Sequence, residues 1–286
     1  MLYRSVEDFI TRGQAALAKG PVALIFAEDD CLLPETVSHH LSLGFAQVVL
    51  LLPESLEAPR PADGLSVVTC DTHGQNAMAG AVTRLGAASP AASWLYWGYN
   101  AEFLFFPFCE TRRIGEFLAF HTEERRSAVM CYVVDLYADD LDRFPDAVSM
   151  ETAMFDRSGY FAAQRFRDGK PLTRQMDIFG GIRWRFEEHV PWARRRIDRA
   201  ALFRPAKGLE LRADLTFSDE EMNTVACPWH NNMTGAVASF RAARALRTNP
   251  GSKWAIPSFT WPGSAKFDWS SKQLLELGMM ESGQWF

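Results

Sequence analysis

Val22-Ala-Leu-Ile-Phe-Ala-Glu-Asp-Asp30 is the stretch from which this 286-residue chain unfolds. Its first five residues form a continuous apolar run of strand length, the pattern of a strand covered on both faces. The run stops in an acidic turn. Pro34 suits the first turn of a helix whose inner face holds Val37 and Leu41 and which Gly44 closes. Gln47-Val-Val-Leu-Leu-Leu52 then reads as a second buried strand. Strand, helix and strand within about thirty residues make a βαβ unit, for which a right-handed connection is expected.

Working outward, Ser5-Val-Glu-Asp8 resembles a capping box opening an N-terminal helix that Gly20-Pro21 ends. Pro53 to Gly64 is loop by composition. Leu65-Ser-Val-Val-Thr-Cys70 is a third strand running into Asp71-Thr-His-Gly74, Ala77 to Leu85 a small-residue helix, and Trp94-Leu-Tyr-Trp-Gly-Tyr99 a fourth strand. These elements predict a doubly wound, mostly parallel α/β sheet. Ligands in such sheets bind outside the carboxyl ends of the strands. Those ends carry Glu28, Asp29 and Asp30, then Asp71 and His73, then Asn100 and Glu102.

Further along, Ile114, Phe117, Leu118 and His121 mark an amphipathic helix, and Ala128-Val-Met-Cys-Tyr-Val-Val-Asp135 a strand with Asp135 at its end. From Ser149 the periodicity weakens, which predicts an irregular α+β half. After Gly180-Gly181, alternation places Arg183 and Arg185 on one side of a strand and Ile182, Trp184 and Phe186 on the other. Trp192 to Phe203 reads as a basic helix, and Gly235 to Arg247 as a helix capped by Thr234. The aromatic tail from Trp254 to Phe286 is expected to pack back on the body. The whole, 1–286, reads as a single domain, with a nucleotide-binding half (1–148) and an acceptor-side half (149–286).

Composition narrows the classes. Hydrophobic residues make up 48% and charged residues 23%, enough for a large core. A formal net charge of -5 excludes a general nucleic-acid binder, which needs a basic footprint. The 5 cysteines are odd in number and widely spaced, with no C-x-x-C pair. That fits reduced thiols rather than a disulfide frame or zinc cage. With no signal-peptide pattern and no apolar run long enough to span a bilayer, a cytoplasmic location without a transmembrane segment is expected, with peripheral membrane contact through the basic segment left open.

Val22 to Asp30, His39-His-Leu-Ser-Leu-Gly-Phe45 and Asn100-Ala-Glu-Phe-Leu104, in that order, resemble the first strand, the helix end and the acidic motif of glycosyltransferase family 2-like proteins of the GT-A fold. The resemblance covers roughly residues 20 to 135 and echoes more weakly in Phe179-Gly-Gly-Ile-Arg183 and Trp229-His230. It implies transfer of a sugar from a nucleotide-sugar donor to an envelope or surface glycan acceptor. The family pattern is Asp-x-Asp-Glu-Phe-Leu; aligned on Glu102-Phe-Leu104, this chain has Tyr99 and Ala101 where the aspartates stand. Divalent Mg or Mn on a diphosphate wants hard oxygen ligands, so the substitution removes the two principal donors and leaves Glu102, with His230 as a late-chain candidate.

The resemblance then distributes roles. Glu28, Asp29 and Asp71 would contact base and ribose, while Asn100, between the two missing aspartates, remains in the acidic motif as a neutral oxygen donor. Arg183 and Arg185 would neutralise the diphosphate in place of the metal. Glu187 or Glu188 would be the general base that deprotonates the acceptor hydroxyl. The same residues also read structurally: Glu187 and Glu188 as surface charges, Arg183 and Arg185 as a solvated strand face, His230 as a packing residue at a helix start. The alternative function is a non-catalytic GT-A scaffold that binds a nucleotide, a glycan or a protein partner. A nucleotidyltransferase ranks last, because the loop after the first strand is acidic and lacks glycine.

Overall fold

The computed structural model describes residues 1–285. In chain order its elements are β1 (Leu2–Tyr3), α1 (Val6–Arg12), β2 (Val22–Phe26), α2 (Leu33–Ser42), β3 (Gln47–Leu52), β4 (Leu65–Thr69), α3 (Ala77–Ala88), β5 (Leu95–Tyr99), β6 (Glu102–Phe105), α4 (Ile114–Glu123) and β7 (Ala128–Ala138). There follow β8 (Ala153–Asp156), β9 (Phe161–Arg167), β10 (Lys170–Phe179), α5 (Ile182–Arg185), β11 (Asp198–Phe203), β12 (Gly235–Ser239), α6 (Arg241–Thr248), β13 (Ser264–Lys266) and α7 (Ser271–Glu276). The chain is α/β with mixed, mostly parallel pairing. It forms two compact units, residues 1–103, 111–130 and 200–223, and residues 104–110, 131–199 and 224–286. No helix among the described residues is long and apolar enough to cross a membrane.

In the first unit the strand order is β1-β4-β3-β2-β5-β11. The runs Val22–Phe26 and Val48–Leu51 are buried throughout, which is why they read as unbroken apolar segments. β2 pairs in parallel with β3 on one side and β5 on the other, with Phe26 opposite Leu51 and Tyr99. The chain therefore winds outward from β2 through β3 and β4, then returns to place β5 on the opposite side. The carboxyl ends of β2 and β5 flank the point where the winding reverses, the position at which open α/β sheets form a binding crevice.

In the second unit β12 runs parallel to β7, β8 antiparallel to β7, and β13 antiparallel to β8, while β9 and β10 form a separate hairpin. The aromatic tail packs in part: Phe259, Phe267 and Trp285 are buried, Trp285 lying 6.0 Å from the Phe108 ring, whereas Trp254 at its start is 83% exposed. Phe286 lies outside the described residues.

Four predicted elements differ. The N-terminal helix stops at Arg12, where Gly13 caps it, and a 3-10 segment, Gln14–Ala18, carries the chain on toward Gly20. The Arg183–Arg185 segment is one helical turn, not a strand: Gly180 (φ 153°) and Gly181 (φ 64°) turn the chain, and the Gly181 carbonyl accepts the amides of Trp184 and Arg185, both at 3.1 Å. Trp192 to Phe203 is not a basic helix. It is a short 3-10 turn at Trp192–Arg194 followed by β11, all of it buried. Pairing overrides the helical composition there, with Leu202 opposite Tyr96 and the Ile197 amide on the Ile178 carbonyl at 2.9 Å. The expected helix from Gly235 begins as β12, because a fully buried Gly-Ala-Val-Ala-Ser run suits a parallel strand beside Cys131 to Asp135, and helix α6 starts only at Arg241.

Candidate functional site

The loops at the carboxyl edge of the first unit are tied to one another by three residues. Asn100, 3% exposed and just past β5, accepts the Glu28 amide on Oδ1 at 2.9 Å. Its Nδ2 donates to Asp29 Oδ1 at 2.7 Å and to the Cys31 carbonyl at 3.0 Å. Asp29 Oδ1 also accepts the Cys31 amide at 2.9 Å, so the acidic turn is folded around the Asn100 amide. Thr72, from the β4–α3 loop, donates its hydroxyl to the Ala27 carbonyl at 2.6 Å. Thr36 of α2 accepts the Ala101 amide at 3.0 Å, pinning Ala101 at φ 55°, a left-handed conformation that costs a non-glycine residue about 1 kcal/mol or more. Asp71 stands on the exposed rim and accepts the amides of His73 and Gly74 at 3.0 and 3.1 Å, shaping the turn into α3.

Glu28, Asp29, Asp71 and Asn100 are thus brought to one edge, with Asn100 as the organiser. Thr72 and Thr36 belong to the same construction. Sequence reading passes over them because a threonine in a loop or in the first turns of a helix carries no periodic or charge signal.

Glu102 opens β6 and is fully buried, its Oε2 accepting the Tyr99 amide at 2.9 Å. That bond spans the Tyr99–Glu102 turn and gives a buried carboxylate a hydrogen-bond partner, which burial demands. These donors do not fit a diphosphate-bridging Mg or Mn. The Asn100 oxygen and a Glu102 oxygen are directed at backbone amides, and Tyr99 and Ala101 supply no carboxylate. Among the described residues no group of three or more His, Cys, Asp or Glu side chains converges on a common point. His230 sits in the Cys227–His230 turn of the second unit, its Nδ1 hydrogen-bonded to the Asn231 carbonyl at 2.9 Å and its own carbonyl accepting the Cys227 amide at 3.1 Å.

The second unit places its arginines against carboxylates. Arg183 grips Asp135 of β7 through Nε (2.9 and 3.1 Å) and Nη2 (2.9 Å), and donates Nη1 to the Arg196 carbonyl. Arg185 binds Asp156 of β8 through Nε at 2.7 Å and Nη2 at 3.0 Å, and also donates to the Phe259 carbonyl. Asp156 accepts two further bonds, from the Tyr137 hydroxyl at 2.6 Å and the Trp261 indole at 2.8 Å. Tyr160 donates to the Asp156 carbonyl at 2.8 Å and covers Gly180, where any Cβ would collide with its ring. Burial, and then the Asp156 charge, hold the Tyr160 phenol well above its ordinary value, so it stays a neutral donor.

Both aspartates are almost wholly buried, so drawing either arginine away would strand a carboxylate, at a cost of about 3–5 kcal/mol. Arg183 and Arg185 therefore hold the Gly180-Gly181 turn to β7 and β8. The paired aspartates could not be foreseen, because nothing in the local sequence links residues 135 and 183 or 156 and 185.

Glu187 is half-exposed and paired with Arg195, Nη1 to Oε2 at 2.7 Å. Glu188 is exposed, 3.8 Å from the His189 ring. Both lie in a 3-10 turn, Glu187–His189, on the surface after α5. The second unit holds a further carboxylate knot: Arg165 is bonded to Asp177 at 2.6 Å and to Asp198, and burial raises the Asp198 carboxyl above its usual range.

No protein-family model matches the chain, and no curated protein matches it either.

Proposed function

We propose that the chain is a glycosyltransferase-like protein that recognises a nucleotide sugar at the carboxyl edge of β2 and β5. The observation that carries this reading is the Asn100-organised turn at Glu28 to Cys31, a polar rim fixed at the point where the sheet reverses. Glu28 and Asp29 offer carboxylate acceptors suited to ribose hydroxyls and base N–H groups, and Asp71 extends the rim from the neighbouring strand end. Donor recognition of this kind proceeds without a divalent cation. Glu187 and Glu188 are the carboxylates available to activate an acceptor hydroxyl in the second unit.

The reaction class is glycosyl transfer to a glycan of the cell envelope or surface. Incubation with UDP-, GDP- and dTDP-sugars in EDTA, with release of free nucleoside diphosphate measured against candidate acceptors, tests it. Glu188→Gln, or failing that Glu187→Gln, would then abolish release while leaving donor binding intact.

A second reading has its own support: a scaffold that binds a nucleotide sugar without turning it over. The commitment of Arg183 to Asp135 and of Arg185 to Asp156 favours it, because no arginine named for the diphosphate is disengaged from a buried carboxylate. Donor binding with no nucleotide release under any acceptor supports this second reading.

A further inference from the structure

Four aromatic rings gather in the second unit. Phe161 at the start of β9 stacks on Phe179 at the end of β10, centroids 5.3 Å apart and planes 25° apart. Trp192 lies against the same Phe179 at 5.3 Å and 32°, and Trp184 of α5 meets Phe161 edge-on at 4.8 Å. Phe179 is buried, yet Trp192 is 64% exposed and Phe161 41%. Isolated exposed apolar residues need no explanation, but two large exposed rings that both pack on one buried ring, Phe179, mark an interaction surface.

The loop that carries Trp192 is clamped. Arg195 donates Nε to the Val190 carbonyl at 2.9 Å, Nη1 to Glu187 Oε2 at 2.7 Å and Nη2 to the Glu187 carbonyl at 2.8 Å, while its guanidinium lies 5.5 Å from the Trp192 ring centre. One side chain therefore fixes an exposed indole and a half-exposed carboxylate in the same loop.

We propose that Trp192 and Phe161 form a stacking platform for the pyranose rings of a neutral glycan. A sugar ring offers an apolar C–H face edged by hydroxyls, and its complement is an aromatic surface with a few polar groups at the rim. The joined pair Glu187 and Arg195 borders the Trp192 ring, and the exposed Arg194 and Glu188 adjoin that pair in the chain as a further donor and acceptor. Both signs of charge border the rings, which suits an uncharged polyhydroxyl ligand. An anionic lipid surface would call for basic residues alone. The platform deepens the transfer reading, on which its role as acceptor site rests, but saccharide binding itself needs neither nucleotide nor chemistry.

The test titrates the full chain with maltohexaose, cellohexaose and chitohexaose, following the Trp192 indole N–H signal, which is assigned by its loss in Trp192→Ala. At least one oligosaccharide should shift that signal, and Trp192→Ala and Phe161→Ala should each weaken binding about tenfold or more while the variants keep the parent's far-UV circular dichroism at the temperature of the titration. Lack of any shift, or binding that survives both substitutions together, overturns the platform. Burial of Trp192 on phosphatidylserine vesicles without a response to saccharide overturns it too, and reassigns the rings to a membrane surface. Retained saccharide binding with no response to any nucleotide sugar would instead overturn the transfer reading and leave the platform standing.

Discussion

Asn100 holds Asp29 at 2.7 Å through its side-chain amide while its oxygen receives the amide of Glu28, so one buried residue shapes the acidic turn after β2 from the end of β5. Only an amide can serve both ends, because the site needs a donor toward Asp29 and the Cys31 carbonyl and an acceptor toward Glu28. Asn100 is better understood as a latch on this turn than as a weakened metal ligand.

Asn100→Asp keeps the shape but turns the donor into an oxygen facing Asp29 and Cys31. It should cost about 2–3 kcal/mol, read as a lower urea midpoint at unchanged slope, and should weaken nucleotide-sugar binding. A variant as stable as the parent would remove the latch.

The Arg185–Asp156 pair should behave as a buried, hydrogen-bonded unit. Arg185→Gln should destabilise by about 3 kcal/mol, and Arg185→Lys by nearly as much, since an ammonium cannot reproduce the two-pronged contact and the bond to Phe259. Asp156→Asn added to Arg185→Gln should cost less than the sum of the two single changes. Additivity in that double-mutant cycle would show the pair to be uncoupled.

His121 is an acid-sensitive point of the first unit. Burial, with a smaller contribution from Arg126, lowers its pKa to about 3, and it is packed among Trp94, Phe117 and Phe120. The folded value lies below the unfolded one, so its contribution is fully present above the unfolded value and is lost as pH falls toward the folded value. Between pH 7 and pH 5 this should remove about 2 kcal/mol, and His121→Phe should flatten the stability profile over that interval. An unchanged profile in His121→Phe would place the acid sensitivity elsewhere.

Gly80 on α3 has open space where a Cβ would stand and lies within the helix, so Gly80→Ala should stabilise by about 1 kcal/mol. Gly180→Ala should do the reverse, because its positive φ and the Tyr160 ring both exclude a side chain. Thermal unfolding of the two variants should move the midpoint in opposite directions.

The first hundred residues were legible because their strands are buried on both faces and their helices amphipathic, so Val22 to Phe26 and Gln47 to Leu52 declare themselves locally. The edge residues Glu28, Asp29, Asp71 and Asn100 followed from strand ends alone. Beyond Ser149 the determinants are non-local. Gly235 to Ser239 is a short run of small residues with no clear periodicity and becomes a strand because β7 pairs with it, and Arg183 and Arg185 take their positions from aspartates far away in sequence. Trp192 read as one residue of a basic helix, and its ring cluster exists only once β9, β10 and the following loop are folded.

The central claim is nucleotide-sugar recognition at the Asn100-latched edge without a divalent cation. Isothermal titration of the full chain with UDP-, GDP- and dTDP-sugars, in EDTA and again with Mn2+, tests it most directly. The account expects one donor to bind with the same affinity in both conditions and more weakly to Asn100→Asp. Binding that appears only with Mn2+, or none with any donor, would contradict it.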